Sequence, residues 1–344
     1  MSMWEIGSEF HYHALSDNVG KTPSFAHAAE EAYVFSGRTA IETVLKHLDG
    51  ARKAMLPSYC CSSMIEPFLS AGIDVAFYDV FWNSKLETEV KIDEDADLVL
   101  WCNYFGFAQK LPDFSTFIAR GGILLEDITH SLLSPRLHHP QSHYAVASVR
   151  KWMPLISGGY CASFVGQLRH KSRQQVPDEF IDTKLSAMKQ KSAYLAAGDE
   201  LAKAQYLSDF SRSNHWLATN YSGLDIDPLS MDYLKSVDLE QIRTNRRENG
   251  KLIYEYLHTY PGASPVFLEN EMECPLFVPI VFSERAERDA AREKLISEKI
   301  YCPVHWPKPE YGCQSNLYDL ELSLICDQRY SRDDIERMMQ IICR

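Results

Sequence analysis

From residue 36 to 165 the chain alternates segments of helical apolar spacing with short, nearly continuous apolar runs, the pattern of a mostly parallel sheet covered by helices. The runs predict strands at 54–56, 74–78, 98–102, 123–126, 145–148 and 160–165. Between them, 39–48, 62–71 and 113–119 have helical character, and Gly72 and Gly121-Gly122 sit where helix stops are expected. The predicted class is α/β.

After this region the periodicity changes. Residues 169–218 are polar, rich in Lys, Gln, Ala and Ser, with few β-branched side chains, so a solvent-facing helical segment that covers or links domains is expected. One long helix is predicted over 234–257, where Leu234, Val237, Leu239, Ile242, Leu252, Ile253 and Tyr256 recur near helical spacing among charges. A smaller α+β unit follows, with strands at 275–282 and 300–304, a charged helix at 284–298 and a closing helix at 332–342. Asp333-Asp334 stands at the electropositive start of that last helix. The expected division is 1–222, an N-terminal segment with a large domain, and 223–344, a linking helix with a small C-terminal domain.

Composition narrows the function classes. A chain of 344 residues, 45% hydrophobic and 24% charged, is long enough for a large domain plus a smaller one. Acidic residues outnumber basic ones 47 to 35, for a net charge of -12, which speaks against a nucleic-acid partner. The start, Met1 to Glu5, lacks the basic and apolar parts of a signal peptide, and no apolar run approaches the ~20 residues that span a bilayer. Nine cysteines, with Cys60 and Cys61 adjacent and no Cys-x-x-Cys spacing, suit neither a disulfide framework nor a zinc site. A cytoplasmic protein with reduced thiols and no membrane partner is expected.

Three segments carry candidate chemistry. Ser36-Gly37-Arg38-Thr39 is a small-residue turn that opens a helix, where free N–H groups make an anion site, although a plain helix cap accounts for it equally well. The apolar run at 123–125 ends in Glu126-Asp127, two carboxylates that strand alternation sends to opposite faces. Ligands of open α/β sheets collect at such strand ends, and a carboxylate there can pair with a protonated pyridine nitrogen; a solvated strand terminus is the alternative. In the third, a predicted strand emerges into Ser148-Val149-Arg150-Lys151 and continues through Gly158-Gly159. A lysine forms a Schiff base only when neutral, and Arg150 and Trp152 are neighbours that disfavour its charge; an ordinary surface lysine is the alternative.

Taken in order, glycine turn, Glu-Asp strand end, then Ser-x-x-Lys before Gly-Gly, the sequence resembles the DegT/StrS-like aminotransferases over most of its length. These are pyridoxal 5′-phosphate (PLP) enzymes of fold type I. The resemblance implies a large domain with a mostly parallel seven-stranded sheet flanked by helices, and a small C-terminal α+β domain. It implies that Gly37, Arg38 and Thr39 hold the cofactor phosphate with Ser148, Arg38 standing where a small hydroxyl is usual. Asp127 would bind the pyridine nitrogen, His130 would lie near the phenolic oxygen, and Lys151 would be the Schiff-base lysine. Asn103-Tyr104-Phe105-Gly106 is similar to a family strand–loop that places Asn103 near the cofactor. In Pro57-Ser58-Tyr59-Cys60-Cys61, Cys61 takes the ring-covering position, with Tyr59 the nearby alternative. Asn220-Tyr221-Ser222 is similar to a segment that crosses a dimer interface to the neighbouring phosphate, serine replacing arginine. Arg246-Arg247 and the segment from Ile300 to Trp306 resemble the family's C-terminal domain, with His305 near the substrate entrance.

Other signals carry less. Gly20-Lys21-Thr22 is not a P-loop, because Leu15 stands where the motif needs glycine, and no Gly-x-Gly-x-x-Gly follows a strand. His138, His139 and His143 lack the further ligand of a metal site. Arg329 is a candidate clamp for a substrate carboxylate, with a surface cap as the commoner role. The expected activity is amino transfer from a small amino donor such as glutamate to a carbonyl acceptor, with Lys151 shuttling the proton. The resemblance implies a nucleotide-linked keto-sugar as acceptor, used in surface-polysaccharide or antibiotic-type synthesis, and a homodimer. Retention of the lysine ranks sugar dehydration below transamination. The alternatives are a non-catalytic dimeric binding or regulatory homologue, raised by the departures at Arg38, Cys61 and Ser222, and another PLP enzyme acting on a non-sugar substrate.

Overall fold

The structure, a computed structural model, describes residues 5–14, 20–48, 50–135, 138–168 and 174–343. Met1 to Trp4, Leu15 and the first residues of the polar stretch, 169–173, lie outside them. A two-residue strand β1 (Ile6–Gly7) precedes a large sheet made of β2 (Glu30–Val34), β3 (Lys53–Pro57), β4 (Asp74–Trp82), β5 (Leu86–Glu89), β6 (Leu98–Cys102), β7 (Ile123–Asp127), β8 (Tyr144–Ser148) and β9 (Gly159–Ser163). Its strand order is β2-β9-β8-β7-β6-β3-β4-β5. Pairing is parallel from β8 through β7, β6 and β3 to β4. Strands β9 and β5 run the other way, and β2, antiparallel to β9, again shares the direction of β8.

The sheet therefore has eight strands rather than seven. Two of them, β2 (sequence EEAYV) and β5 (LETE), were not predicted, because at the sheet edges their polar side chains need not be buried and leave no apolar run. The central strand β6 is buried along its whole length, as a parallel strand covered on both faces must be.

Helices α1 (Gly37–His47), α2 (Ser62–Ser70) and α3 (Ser115–Ala119) fall where the periodicity put them. Helix α1 buries Ala40, Ile41, Val44 and Leu45, one face of a 3.6-residue repeat. Gly72 and Gly121, at φ +74° and +91°, provide the left-handed turns after α2 and α3.

The polar stretch forms a hairpin, α4 (Asp178–Ala197) and α5 (Glu200–Thr219). Contrary to expectation it is not simply solvent-facing. Phe180, Met188, Tyr194, Tyr206, Phe210 and Leu217 pack with Phe35 and Ile156, and even Lys184 and Lys191 are buried. The apolar positions are too few and too aromatic to register as a helical stripe, yet two such faces cover each other.

The single helix predicted over 234–257 is two, α6 (Pro228–Ser236) and α7 (Leu239–Leu257). Val237 is extended, and the Asp238 side chain caps α7 by accepting the Gln241 N–H at 3.0 Å. The C-terminal unit adds β10 (Ser264–Pro265), β11 (Val278–Val281), α8 (Arg285–Ser297), β12 (Ile300–Tyr301), α9 (Leu317–Leu320), β13 (Glu321–Leu324) and α10 (Arg332–Ile342). Strands β10, β11 and β13 form an antiparallel sheet, while β12 pairs in parallel with β1. The N-terminal segment, grouped by sequence with the large domain, thus joins the C-terminal unit through β1. No helix of the described residues is long and apolar enough to cross a membrane.

Asp227 ties the β8–β9 connection to α6. Its carboxylate, 1% exposed, accepts the Ser157 N–H at 3.0 Å, the Ser157 hydroxyl at 2.5 Å and the Ser230 N–H at 2.9 Å. Asp227→Ala removes a helix cap and strands two buried donors, so it should cost about 2–4 kcal/mol. Denaturant unfolding checks this; a loss below about 1 kcal/mol would assign the carboxylate no more than an ordinary capping role.

Candidate active site

The parallel register lines up the ends of neighbouring strands. Cys102 at the end of β6 pairs with Asp127 at the end of β7, and Asp127 pairs with Val146 in β8, two residues before Ser148. Ser148 in turn pairs with Gly159 of β9, and Gly159 with Val34 of β2, just before α1. Gly37, Ser148, Asp127 and Cys102 therefore follow one another along the carboxyl-terminal edge of the sheet, where α/β folds bind ligands. Gly159 is required by this approach: a Cβ there would lie 2.0 Å from the Ser36 carbonyl oxygen.

These residues line a pocket of about 110 Å³ together with Arg38, Cys61, His130, Arg150, Lys151 and Trp306. Lys151 ends a short 3-10 turn after β8, and its Nζ stands 3.4 Å from His130 Nε2. The Phe105 N–H points to His130 Nδ1 at 3.4 Å. Burial, with Lys151 and His305 adding to it, pushes the His130 pKa well below the usual imidazole range, so the ring is neutral. Asp127 is buried and accepts the Thr129 N–H at 2.8 Å. Burial raises its pKa against the opposing pull of Thr129 and Lys151.

Trp306 was missed by sequence reading, although its segment was singled out for His305. Its ring stacks on His130 at 5.3 Å, with Lys151 Nζ 5.7 Å from its centroid. Cys61 lines the pocket, but Tyr59 does not. Tyr59 is fully buried among Tyr104, Trp306 and Tyr318, so the aromatic wall comes from the C-terminal unit instead.

Other expected contacts fall elsewhere. The Thr39 hydroxyl donates to the Tyr221 carbonyl at 2.9 Å and lies 2.9 Å from Ser36 Oγ, which makes it part of the α1 cap. The Asn103 amide donates to Glu126, and its carbonyl accepts from Trp101 Nε1 at 3.3 Å. It sits with the carboxylate that alternation sends away from Asp127, and so does not line the pocket. Asn220 is exposed and bonds to the Trp216 carbonyl and the Thr219 hydroxyl at the end of α5. His139 and His143 bond to backbone, with no group of three metal-binding side chains among the described residues.

A second cavity, about 680 Å³, adjoins the pocket past Arg38, Ser148, Arg150 and Lys151. The N-terminal residues Gly7, Ser8, Glu9 and Phe10 form part of its wall, as do Arg246, His305, Asp327 and Arg329. Arg329 pairs with Asp327 at 2.7 Å, donates to the Glu9 carbonyl at 3.1 Å and stacks over Phe10 at 4.1 Å. Its charge is already matched, so a surface cap and a free clamp are both replaced by a buried ion pair.

No protein-family model and no curated protein matches the chain in sequence. Solved structures do match in fold. The chain superposes on the sugar aminotransferase CalS13 of Micromonospora echinospora with a TM-score of 0.61 at 12% identity, over 91% of this chain and 86% of that one. A DegT/DnrJ/EryC1/StrS aminotransferase of Brucella abortus gives 0.60 at 15% identity, over 92% and 86%. DesI, solved with its TDP-sugar product, gives 0.62 at 13%, over 92% and 81%. The fold is that of these aminotransferases.

His305 is set by Glu321, which accepts its N–H at 2.7 Å, while Ser323 holds its Nδ1 at 2.8 Å. Burial pushes the Glu321 pKa from 4.5 up to about 8. A carboxyl raised in the folded state contributes stability that is full below about pH 4.5 and is lost as pH rises through about 8. Glu126, raised by burial to about 7, adds a fall in the same direction. Glu321→Gln should flatten part of this decline when unfolding is measured across that range, and an unchanged slope would mean Glu321 titrates normally.

Proposed function

We propose that the chain is a PLP-dependent aminotransferase whose Lys151 carries the cofactor and whose acceptor is a keto-sugar linked to a nucleotide. The observation that carries this reading is the meeting of Lys151 and Asp127 in one pocket beside the start of α1, in a fold shared with sugar aminotransferases. The residues fit the cofactor. An amine and a buried carboxylate suit its aldehyde and ring nitrogen, and Gly37 keeps the helix start open, since a Cβ there would lie 3.1 Å from Ser148 Cβ. When bound, PLP supplies an electron-accepting ring that spreads the charge formed at the substrate carbon.

The remaining chemistry belongs to the chain. Asp127 would pair with the ring nitrogen and hold it protonated, its burial strengthening the pair by excluding water. Lys151, once released from the cofactor, would move the proton to and from the substrate carbon. The neutral His130 orients its nitrogen, and Trp306 closes the pocket against solvent. The adjoining cavity is of a size usual for small-molecule sites. Its wall carries Arg38, Arg150, Arg246 and Arg329 against Glu9 and Asp327, a balance that favours an anionic substrate. The TDP-sugar bound to DesI supports the same class. An amino acid is the donor and a homodimer the expected assembly. Nine free cysteines accord with a cytoplasmic setting.

Borohydride reduction of protein incubated with PLP should add the cofactor's mass to the Lys151 peptide. Lys151→Ala should abolish that adduct and lower transamination at least ~10³-fold, whereas Asp127→Asn should keep the adduct and lose roughly 10²–10³ in rate. A wild-type protein that gains no mass would instead favour a non-catalytic binding role.

A further inference from the structure

We propose that Arg150 is the main counter-charge for the cofactor's phosphate, an inference that rests on reading the pocket as a PLP site. Arg150 lies in the turn between Ser148 and Lys151 and lines both the pocket and the adjoining cavity. Its Nε is shut off from solvent without a hydrogen-bond partner, and its guanidinium makes no hydrogen bond or ion pair among the described residues. The residue as a whole is partly exposed, so the rest of the guanidinium opens onto the two cavities it lines, where an anion can reach it.

Glu9 acts on Arg150 electrostatically, without a hydrogen bond or ion pair between them, and the direct contacts of the nearby acids go to other groups. Glu9 accepts the Asn214 amide at 2.8 Å and pairs with Lys184 at 3.4 Å. Asp327 is taken by Arg329, and Asp127 interacts with Lys151. No acid is hydrogen-bonded to Arg150, so a ligand anion can take up its donors without displacing one.

The position of Arg150 indicates which anion. Its Cγ lies 3.5 Å from where a Cβ on Gly158 would stand, next to the close approach of Gly159 to Ser36. The stem of Arg150 therefore lies at the start of β9, next to the segment that opens α1 and on the side of β8 away from Asp127 in strand order. At that turn Ser36 satisfies the Thr39 and Ala40 N–H groups, which leaves those of Gly37 and Arg38 without an intrahelical acceptor. A phosphate monoester brings about −1.5 to −2 charges at neutral pH, whereas a helix start offers about half a charge. Arg38 already shares its charge with Glu66 at 2.7 Å. Lys151 gives up its amine to the aldehyde. Arg150 keeps its donors without a hydrogen-bonded partner, and its planar fork matches phosphate oxygens.

The test compares PLP with pyridoxal, which lacks the phosphate, on wild type, R150Q and R150K, following the borohydride-fixed mass on Lys151 as ligand is titrated, with thermal unfolding recorded for each protein. R150Q should raise the half-saturating PLP concentration roughly 10- to 100-fold and leave pyridoxal unchanged. R150K, which keeps charge without the fork, should fall between R150Q and wild type. Should R150Q unfold early, the same selective shift in R150K carries the test. Wild-type PLP affinity in R150Q overturns the inference, and so does an equal loss of both ligands in a variant whose unfolding is unchanged. If R150Q binds PLP normally but its KM for the amino donor rises, Arg150 is a carboxylate anchor instead. Wild type that takes up neither ligand overturns the cofactor reading and this inference with it.

Discussion

The register of β6, β7 and β8 is the constraint on which the rest depends. Because parallel strands pair residue by residue, ending β7 at Asp127 brings it level with Cys102 and two residues short of Ser148 in β8. The lysine turn then begins on the neighbouring strand at the same edge of the sheet as the carboxylate. A slip of one residue in β7 would send Asp127 to the opposite face and bring Glu126 to the pocket. Glu126 instead holds Asn103, Ser142 at 2.7 Å and the His139 N–H at 2.7 Å, a polar cluster that satisfies a fully buried carboxyl. Two adjacent acids thus take separate tasks through alternation alone.

The second constraint is closure from outside the sheet. The C-terminal unit supplies Trp306 and His305, and the N-terminal segment supplies part of the cavity wall. That segment is held by lysines of the α4–α5 hairpin: the buried Lys191 donates to the Gly7 and Glu9 carbonyls at 3.2 and 2.6 Å, and the partly buried Lys203 pairs with the buried Glu5 at 2.8 Å. Desolvating such lysines is expensive, so the arrangement is poor economy for stability alone. It does fix a short, otherwise irregular chain in one path over the cavity, with β1 paired to β12 and Arg329 donating to its carbonyls.

Aromatic packing links these parts. Tyr59, which follows β3, meets Trp306 at 5.0 Å and Tyr318 at 5.2 Å, and the Tyr318 hydroxyl donates toward the Ser58 carbonyl at 2.8 Å. The Pro57 to Cys61 segment is thereby clamped to the C-terminal unit. Tyr59, the expected alternative to Cys61 for covering the cofactor ring, instead packs behind Trp306.

The central strands, the helices between them, the glycine stops and the lysine, carboxylate and glycine-turn segments were all legible along the chain. Each is written in local properties: apolar runs, helical spacing, turn residues and strand alternation. Strand β5 and the break at Asp238 were not, being local features that leave no apolar run or change of period to mark them. Nor were the edge strand β2 and the burial of α4 and α5, since each of these depends on a partner distant in sequence. The same holds for side-chain partners. Nothing near Asn103 announces that Glu126 will claim its amide, nothing near Arg329 that the Ser8 and Glu9 carbonyls will accept from it, and nothing near Arg150 that no acid will be hydrogen-bonded to it. Propensity is a property of neighbours along the chain, whereas pairing, desolvation and charge balance are set by whichever residues folding brings within a few ångströms.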